Sequence, residues 1–294
     1  MKNSTIAKRQ LALKLKLEPR LKREMAVLFA EISTDMRDQF SERGQILNAS
    51  VYENELQQIL RQHYRRVSKL FGIALRQQLV KHFLPEETKA IDEKVNSALR
   101  EFINLTTALH ARLIIQTTQT EINGAISFGV GLQLPEVFAG SRNLVVAEEA
   151  QNEFNRRAKS RIETIAVTET QTASEGSKII EAQTIANDVS AITGVPQEEV
   201  LFKEWSSVLD SRTRESHVLA DGQRVGVNDP FIVGGELLRF PSDTSLGASL
   251  ENVINCRCIS AIVVNDQAIA EAIDTRVKPQ TGKPLPTLQG VLGA

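Results

Sequence analysis

From Lys22 onward the apolar positions Met25, Leu28, Phe29, Ile32, Met36 and Phe40 recur at helical spacing and stop near Gly44, which predicts an amphipathic helix. Leu56, Ile59, Leu60, Val67, Leu70, Phe71, Ala74, Leu75 and Leu79 form a second apolar stripe with Arg and Gln on the other faces, broken at Leu84 and Pro85. Pro85 suits the first turn of a third helix, with Glu86 and Glu87 at its positive end. Ile91, Val95, Leu99, Phe102 and Ile103 carry that stripe on toward Ile126, until the glycines and proline of FGVGLQLP end it. After Gly140 the helical pattern resumes from Val145 to Ile185, with a soft break expected around Ser174 to Ser177, and it stops at Thr193, Gly194 and Pro196. Near the start, Leu11, Leu13, Leu15 and Leu17 alternate with Ala12, Lys14 and Lys16; this strand-like period ends at Pro19, and the stretch is assigned to neither element.

Beyond Pro196 the periodicity changes. Short runs at Leu201 to Leu209, Arg224 to Val227, Ile232 to Phe240 and Arg257 to Val264 are punctuated by Asp221-Gly222, Gly234-Gly235 and Pro241-Ser242-Asp243, the grammar of a small antiparallel sheet. The expected class is α+β: a long, mainly helical N-terminal part followed by a small module with a mostly antiparallel sheet. The expected divisions are a basic arm over 1–24, a helical domain over 25–140, a domain over 141–265 that is helical to about 195, and a Pro/Gly-rich extension over 266–294.

Charge adds one feature. The net charge is −1, but residues 1–100 carry 19 Lys and Arg against 12 Asp and Glu, and within the first 23 residues eight cations face only Glu18. Lys14, Lys16, Lys22 and Arg23 are therefore candidate contacts for double-stranded DNA or an acidic partner. No apolar run approaches the roughly 18 residues of a membrane span, and the lysine-interrupted N-terminus does not read as a signal peptide.

The chemistry-bearing residues gather between Trp205 and Val264, which hold the one tryptophan and both cysteines. Cys256 and Cys258 on a strand would share a face while Arg257 points to the other, free to tie the last strand to the turn formed by RTRESH. With His217 alongside, the two thiols would supply three of the four ligands that tetrahedral zinc prefers, the fourth falling to Asp210, Asp221 or water. The alternative is a pair of buried cysteines behaving as small hydrophobes. A Cys–His–Asp triad can be drawn, but no strained elbow surrounds either thiol, and there is no phosphate-binding glycine loop, so no catalytic residue or organic cofactor is expected.

These residues fall in a recognisable series. Trp205, Asp210, Arg212, Thr213, Arg214 and His217 are followed by Asp221, Gly222, Gln223 and Val225. Then come Phe231, Val233, Gly234, Gly235, Glu236, Leu238 and Pro241, and finally Glu251, Asn252, Ile254, Asn255, Cys256, Arg257 and Cys258. The series resembles the phage head morphogenesis family, the minor head proteins like the F protein of phage Mu. Glu163 to Thr170 also resembles that family's helix with its Thr-Glu pair, with Val167 where an arginine is usual. Many relatives carry a CxxC pair where this chain has RTRESH, which suggests a zinc knuckle in them; here Arg214 and His217 occupy that region.

The resemblance implies a non-enzymatic virion structural protein of a tailed phage, made in the bacterial cytoplasm. Such a protein joins the procapsid with portal and scaffold proteins, as an oligomer on the portal, and stays in the head interior near the portal vertex, where it acts in DNA packaging or ejection. The competing class is a virion-delivered enzyme or toxin-like effector using the Cys/His site.

Overall fold

The computed structural model describes residues 3–83, 88–132, 141–265 and 267. Pro85, Glu86, Glu87 and the 268–294 tail, on which expectations were placed, lie outside the described residues. Four long helices dominate: α1 (Asn3–Arg43), α2 (Glu53–Phe83), α3 (Thr88–Val130) and α4 (Arg142–Thr193). α4 packs against each of the other three.

The stretch around Leu11 to Leu17 is helix, continuous through the exposed Pro19. The period-2 leucines mislead because two charged residues belong to the buried face: Lys14, Glu18, Leu21, Met25, Leu28 and Ile32 are all buried at alternating steps of four and three. The 24/25 division therefore falls inside α1. Nor does α4 break around Ser174 to Ser177. Gly176 stays helical and lets Phe102 of α3 approach so closely that a Cβ there would lie 2.2 Å from its Cζ. α4 ends as its residues predict, at Gly194 in the left-handed conformation, whose N–H donates to the Ser190 carbonyl at 2.7 Å.

After the single turn α5 (Gln197–Val200), strand β1 (Leu201–Ser206) forms the centre of a three-stranded antiparallel sheet. It lies between β2 (Arg224–Gly226) and β5 (Ile259–Val264), in the order β2-β1-β5. Register pairs Phe202 with Gly226 and Trp205 with Ser260. A separate hairpin joins β3 (Phe231–Val233) to β4 (Glu236–Leu238) through Gly234 and Gly235, both at positive φ. Two short turns of helix, α6 (Glu215–Leu219) and α7 (Leu250–Val253), complete the module. The α+β expectation, with strands confined to the region after Pro196, holds among the described residues.

The module is bound to the bundle through a polar seam. From Thr168 to Ile179 every residue of α4 is buried, and among them are Glu169, Gln171, Glu175 and Lys178. β5 lies at the sheet edge, so one side of its backbone has no strand partner. α4 supplies the partners at i, i+4 and i+7. Gln171 Nε2 donates to Cys258 O at 2.5 Å, Glu175 Oε2 accepts from Ser260 N at 2.8 Å, and Lys178 Nζ donates to Ser260 O at 3.2 Å. A buried backbone group left unpaired is costly, which accounts for polar side chains on an enclosed helix.

Candidate functional site

The module's own core is Trp205, Ala220, Phe231, Val233, Leu238, Cys256 and Cys258. Trp205 sits on the buried face of β1, with Phe231 and His217 both edge-on to its ring at centroid distances of 5.3 and 5.4 Å. Its Nε1 donates to Ser207 Oγ at 3.2 Å, and that hydroxyl donates on to His217 O at 2.7 Å. Asp221 Oδ1 accepts from Ser207 N at 2.7 Å, while Gly222, at φ +79, donates its N–H to Trp205 O. The Asp-Gly turn thus closes the loop that carries His217.

Cys256 and Cys258 do not lie on a strand, because β5 begins only at Ile259. The extended segment before it still turns both sulfurs to one side. His217 Nδ1 stands 3.4 Å from Cys258 Sγ and 3.7 Å from Cys256 Sγ, and the three donor atoms all lie within 4.8 Å of one another. Zn–S bonds of about 2.3 Å and Zn–N bonds of about 2.0–2.1 Å in a tetrahedron require N···S edges of roughly 3.6 Å, so both N···S edges of such a site fit. The fourth corner has no Cys, His, Asp or Glu among the described residues within that set. Asp210 is engaged by Arg257 and Asp221 by Ser207. His217 Nε2 is buried without a partner, whereas a ligating imidazole usually donates its other N–H. A hydrogen bond from Cys256 draws the Cys258 thiol down to about 5 despite burial, with help from His217 and Ser207. Burial pushes Cys256 well above the ordinary thiol value. The two thiols are thus driven in opposite directions, the arrangement of an internal hydrogen-bonded pair and one whose sulfurs could also serve a soft cation.

Arg257 points away from the sulfurs and grips Asp210 with both guanidinium nitrogens, at 2.5 and 2.6 Å. Its fork holds the Asp210 carboxyl well below the usual range. The pair sits at the surface and not in the core, so it acts as a geometric clasp between the RTRESH loop and the last strand. Arg212 is mostly exposed and reaches Asp210 only at 3.7 Å. Arg214 Nη2 donates to Ile254 O at 2.5 Å. Asn255 contributes through its backbone, at φ +56, its N–H donating to Thr168 Oγ1 of α4 at 3.2 Å. Glu236 accepts from Asn252 Nδ2 at 2.6 Å and from Ser249, while Gln223 exchanges two hydrogen bonds with Ile232. The motif residues are spent on one another and on backbone.

The N-terminal cations divide. Lys14 does not face a nucleic acid: it is buried, donating to Glu175 Oε1 at 2.8 Å and Gln171 Oε1 at 2.6 Å. Lys22 pairs with Glu163 at 2.5 Å and with Glu18 at 3.5 Å, whereas Lys16 and Arg23 remain exposed.

The sequence reading missed the buried charges of α4 and their partners. Besides the Glu175 group, Glu169 accepts from Tyr64 Oη at 2.8 Å and pairs with His110 Nδ1 at 2.9 Å, and Glu181 pairs with Arg76 at 3.1 Å. Burial opposes charge on both His110 and Glu169. Their mutual attraction outweighs it, raising the histidine and lowering the carboxyl. His63 donates to or accepts from Thr170 Oγ1 at 2.9 Å, and burial pulls its pKa down to about 4. The available signal was a run of ten polar or small residues, TETQTASEGS, around the full circumference of an otherwise apolar-striped helix.

No curated protein and no solved structure matches the chain. Among the described residues no helix is long and apolar enough to cross a membrane. Residues 136–261, which take in α4 and the module with its clasp and Cys/His cluster as far as the first half of β5, match the family model described as Phage Mu protein F like protein, a similarity that supports a phage head morphogenesis family for that part of the chain.

Proposed function

We propose that this protein is a minor structural protein of a tailed-phage head. In this reading it enters the procapsid with the portal and scaffold and stays in the head interior by the portal vertex, in several copies, where it affects DNA packaging or ejection. The observation that carries the reading is the self-contained bonding of the family-matched motif: Asp210 on Arg257, Asp221 on Ser207 and Asn252 on Glu236 spend these side chains on holding the module together. Cys256, Cys258 and His217 are each at most 2% exposed, and a nucleophile needs substrate access, so their burial favours the structural reading over a Cys/His effector. We also propose that a soft divalent ion such as zinc is the occupant this donor set would take, held by His217, Cys256 and Cys258 and serving to lock the loop after β1 to the segment before β5.

Comparing phage particles made with and without the protein tests the main reading. Copies co-purifying with portal-bearing heads, and altered packaged or ejected DNA in their absence, are expected. Normal particles from which the protein is missing in every preparation would overturn it.

A further inference from the structure

We propose that the cleft between α2 and α3 is a sequence-independent binding site for the phosphate backbone of duplex DNA, centred on Arg65, Lys69 and Arg100. From Leu56 to Phe83 the chain contains six Lys and Arg and no Asp or Glu. Folding uses only some of these. Arg66 is paired with Glu24 at 2.9 Å, and Arg76 with Glu181 and Asp92 at 3.1 Å each. Arg65 and Lys69 are exposed and form no ion pair among the described residues, and the same holds for Arg100 on α3. All three line one cleft of about 310 Å³, whose described lining includes no carboxylate; Asn96 and Asn104 stand beside them with amide donors. Arg61, one turn before Arg65, has a buried Nε without a partner.

Stability does not explain this arrangement. Arg61, Arg65 and Lys69 follow one another at i, i+4 and i+8, and like charges at that spacing cost a helix a few tenths of a kcal/mol per pair. They run for about 12 Å along the axis, over which a duplex presents roughly seven phosphate charges. An arginine fork suits a phosphate, and the described residues of the cleft lining include no aromatic anchor of the kind that dominates protein–protein contacts. Duplex DNA is therefore favoured over an acidic protein. The proposal relies on the head-interior reading only in naming DNA as the polyanion at hand, and it moves the nucleic-acid contact away from the N-terminal stretch, whose Lys14 is spent inside the fold.

The test is fluorescence anisotropy of the full chain with a short mixed-sequence duplex across a salt series. The cleft variant Arg65→Gln/Lys69→Gln/Arg100→Gln should weaken binding and flatten the slope of log K against log salt by about 2.7 units, at about 0.9 per phosphate contact. The control Lys16→Gln/Arg23→Gln/Lys159→Gln, on exposed cations elsewhere, should leave the slope near wild type. Equal melting temperatures for the three proteins would exclude misfolding as the cause. An unchanged cleft variant, a flattened control, or tighter binding of polyglutamate than of DNA at equal charge would overturn the proposal, the last assigning the cleft to an acidic protein. Incorporation into heads is measured separately, so the salt slope decides for or against the cleft even if the head reading fails.

Discussion

Replacing Glu175 with Gln isolates the charge at the centre of the seam. The change keeps the volume and leaves an oxygen to accept from Ser260 N, so packing and the β5 edge bond survive in outline. What disappears is the anion 2.8 Å from Lys14 and 2.9 Å from Lys178, both at most 4% exposed. Removing one partner of a buried ion pair costs about 3–5 kcal/mol, because the remaining charge is desolvated and unpaired. At roughly 2 °C per kcal/mol for a chain of this size or slightly smaller, melting should fall by about 6 °C or more. The abandoned lysines can instead shed their protons. From a reference pKa near 10.4, neutralising one at pH 7 costs about 4.6 kcal/mol, which caps the penalty per lysine.

The cap gives the prediction a pH signature. A lysine neutral in the folded variant but charged when unfolded makes the unfolded state bind more protons, so the variant gains stability with rising pH. Between pH 7 and 8 the gap to wild type should narrow by about 1.4 kcal/mol per neutralised lysine. In the wild type Lys178, drawn to about 8 by burial against the pull of Glu175, already loses part of its charge across this window, so for Lys178 the narrowing falls to about 1 kcal/mol. Chemical denaturation at the two pH values reads the gap, and the Lys14→Met/Glu175→Gln double variant should be more stable than the sum of the single losses predicts. A Glu175→Gln protein that melts with wild type, or a penalty that does not change with pH, would refute the account of the seam as an ion cluster.

Gly176→Ala should destabilise, since the added Cβ meets Phe102 at 2.2 Å and overpacking of about 1–3 kcal/mol outweighs the helix-propensity gain of about 1. Gly124→Ala on exposed α3, where the nearest atom is 4.0 Å away, should raise the melting temperature; a rise in both would show that Phe102 yields freely. His63, with its folded pKa near 4, lowers stability by up to about 3 kcal/mol as pH falls from 6.5 toward 4, because only the unfolded state takes up the proton. His110, raised by Glu169, acts in the opposite sense, its contribution being lost as pH rises through the folded value; His63→Asn and His110→Asn should therefore tilt the melting temperature between pH 7 and 5 in opposite directions. Reduced, chelator-treated protein should bind Co(II) with thiolate charge-transfer absorption and should lose this in Cys258→Ser; no uptake by the folded wild type would leave the cluster a thiol pair packed beneath Trp205.

How much of this was legible depends on whether a residue's neighbours are local. The apolar stripes of α1, α2 and α3, the stop at Gly194 and the Gly-Gly hairpin were readable, since periodicity and positive φ are properties of short stretches. The module's clasp was readable in part. Opposite facing of Arg257 and the cysteines followed from alternation in an extended chain, even though the strand starts only at Ile259, because an extended segment alternates with or without a ladder. The surface position of Asp210 was not readable, as nothing local says how much protein lies over a loop. Lys14 was misread for the same reason: its partners Gln171 and Glu175 are more than 150 residues away, and an isolated lysine in a basic stretch looks solvated.

The polar run of α4 shows why that failure was systematic. A helix enclosed on all sides is expected to be apolar all round, so polar residues on every face read as exposure. Here the enclosure has two chemistries. Toward the bundle α4 offers Ala166, Ala173 and Ile179; toward the sheet it faces an edge strand with unpaired carbonyl and N–H groups. An apolar helix could cover that edge but not bond to it. Gln171, Glu175 and Lys178 have the chemistry to complete it: an amide to donate to Cys258 O, a carboxylate to accept from Ser260 N, and an ammonium to donate to Ser260 O. From α1, Lys14 adds a second cation to Glu175, at 2.8 Å. Each element of the seam is specific to its partner, so the module can dock on α4 in one register, and β5, the strand that follows the Cys/His cluster and the Arg257 clasp, is positioned by the bundle as much as by its own sheet.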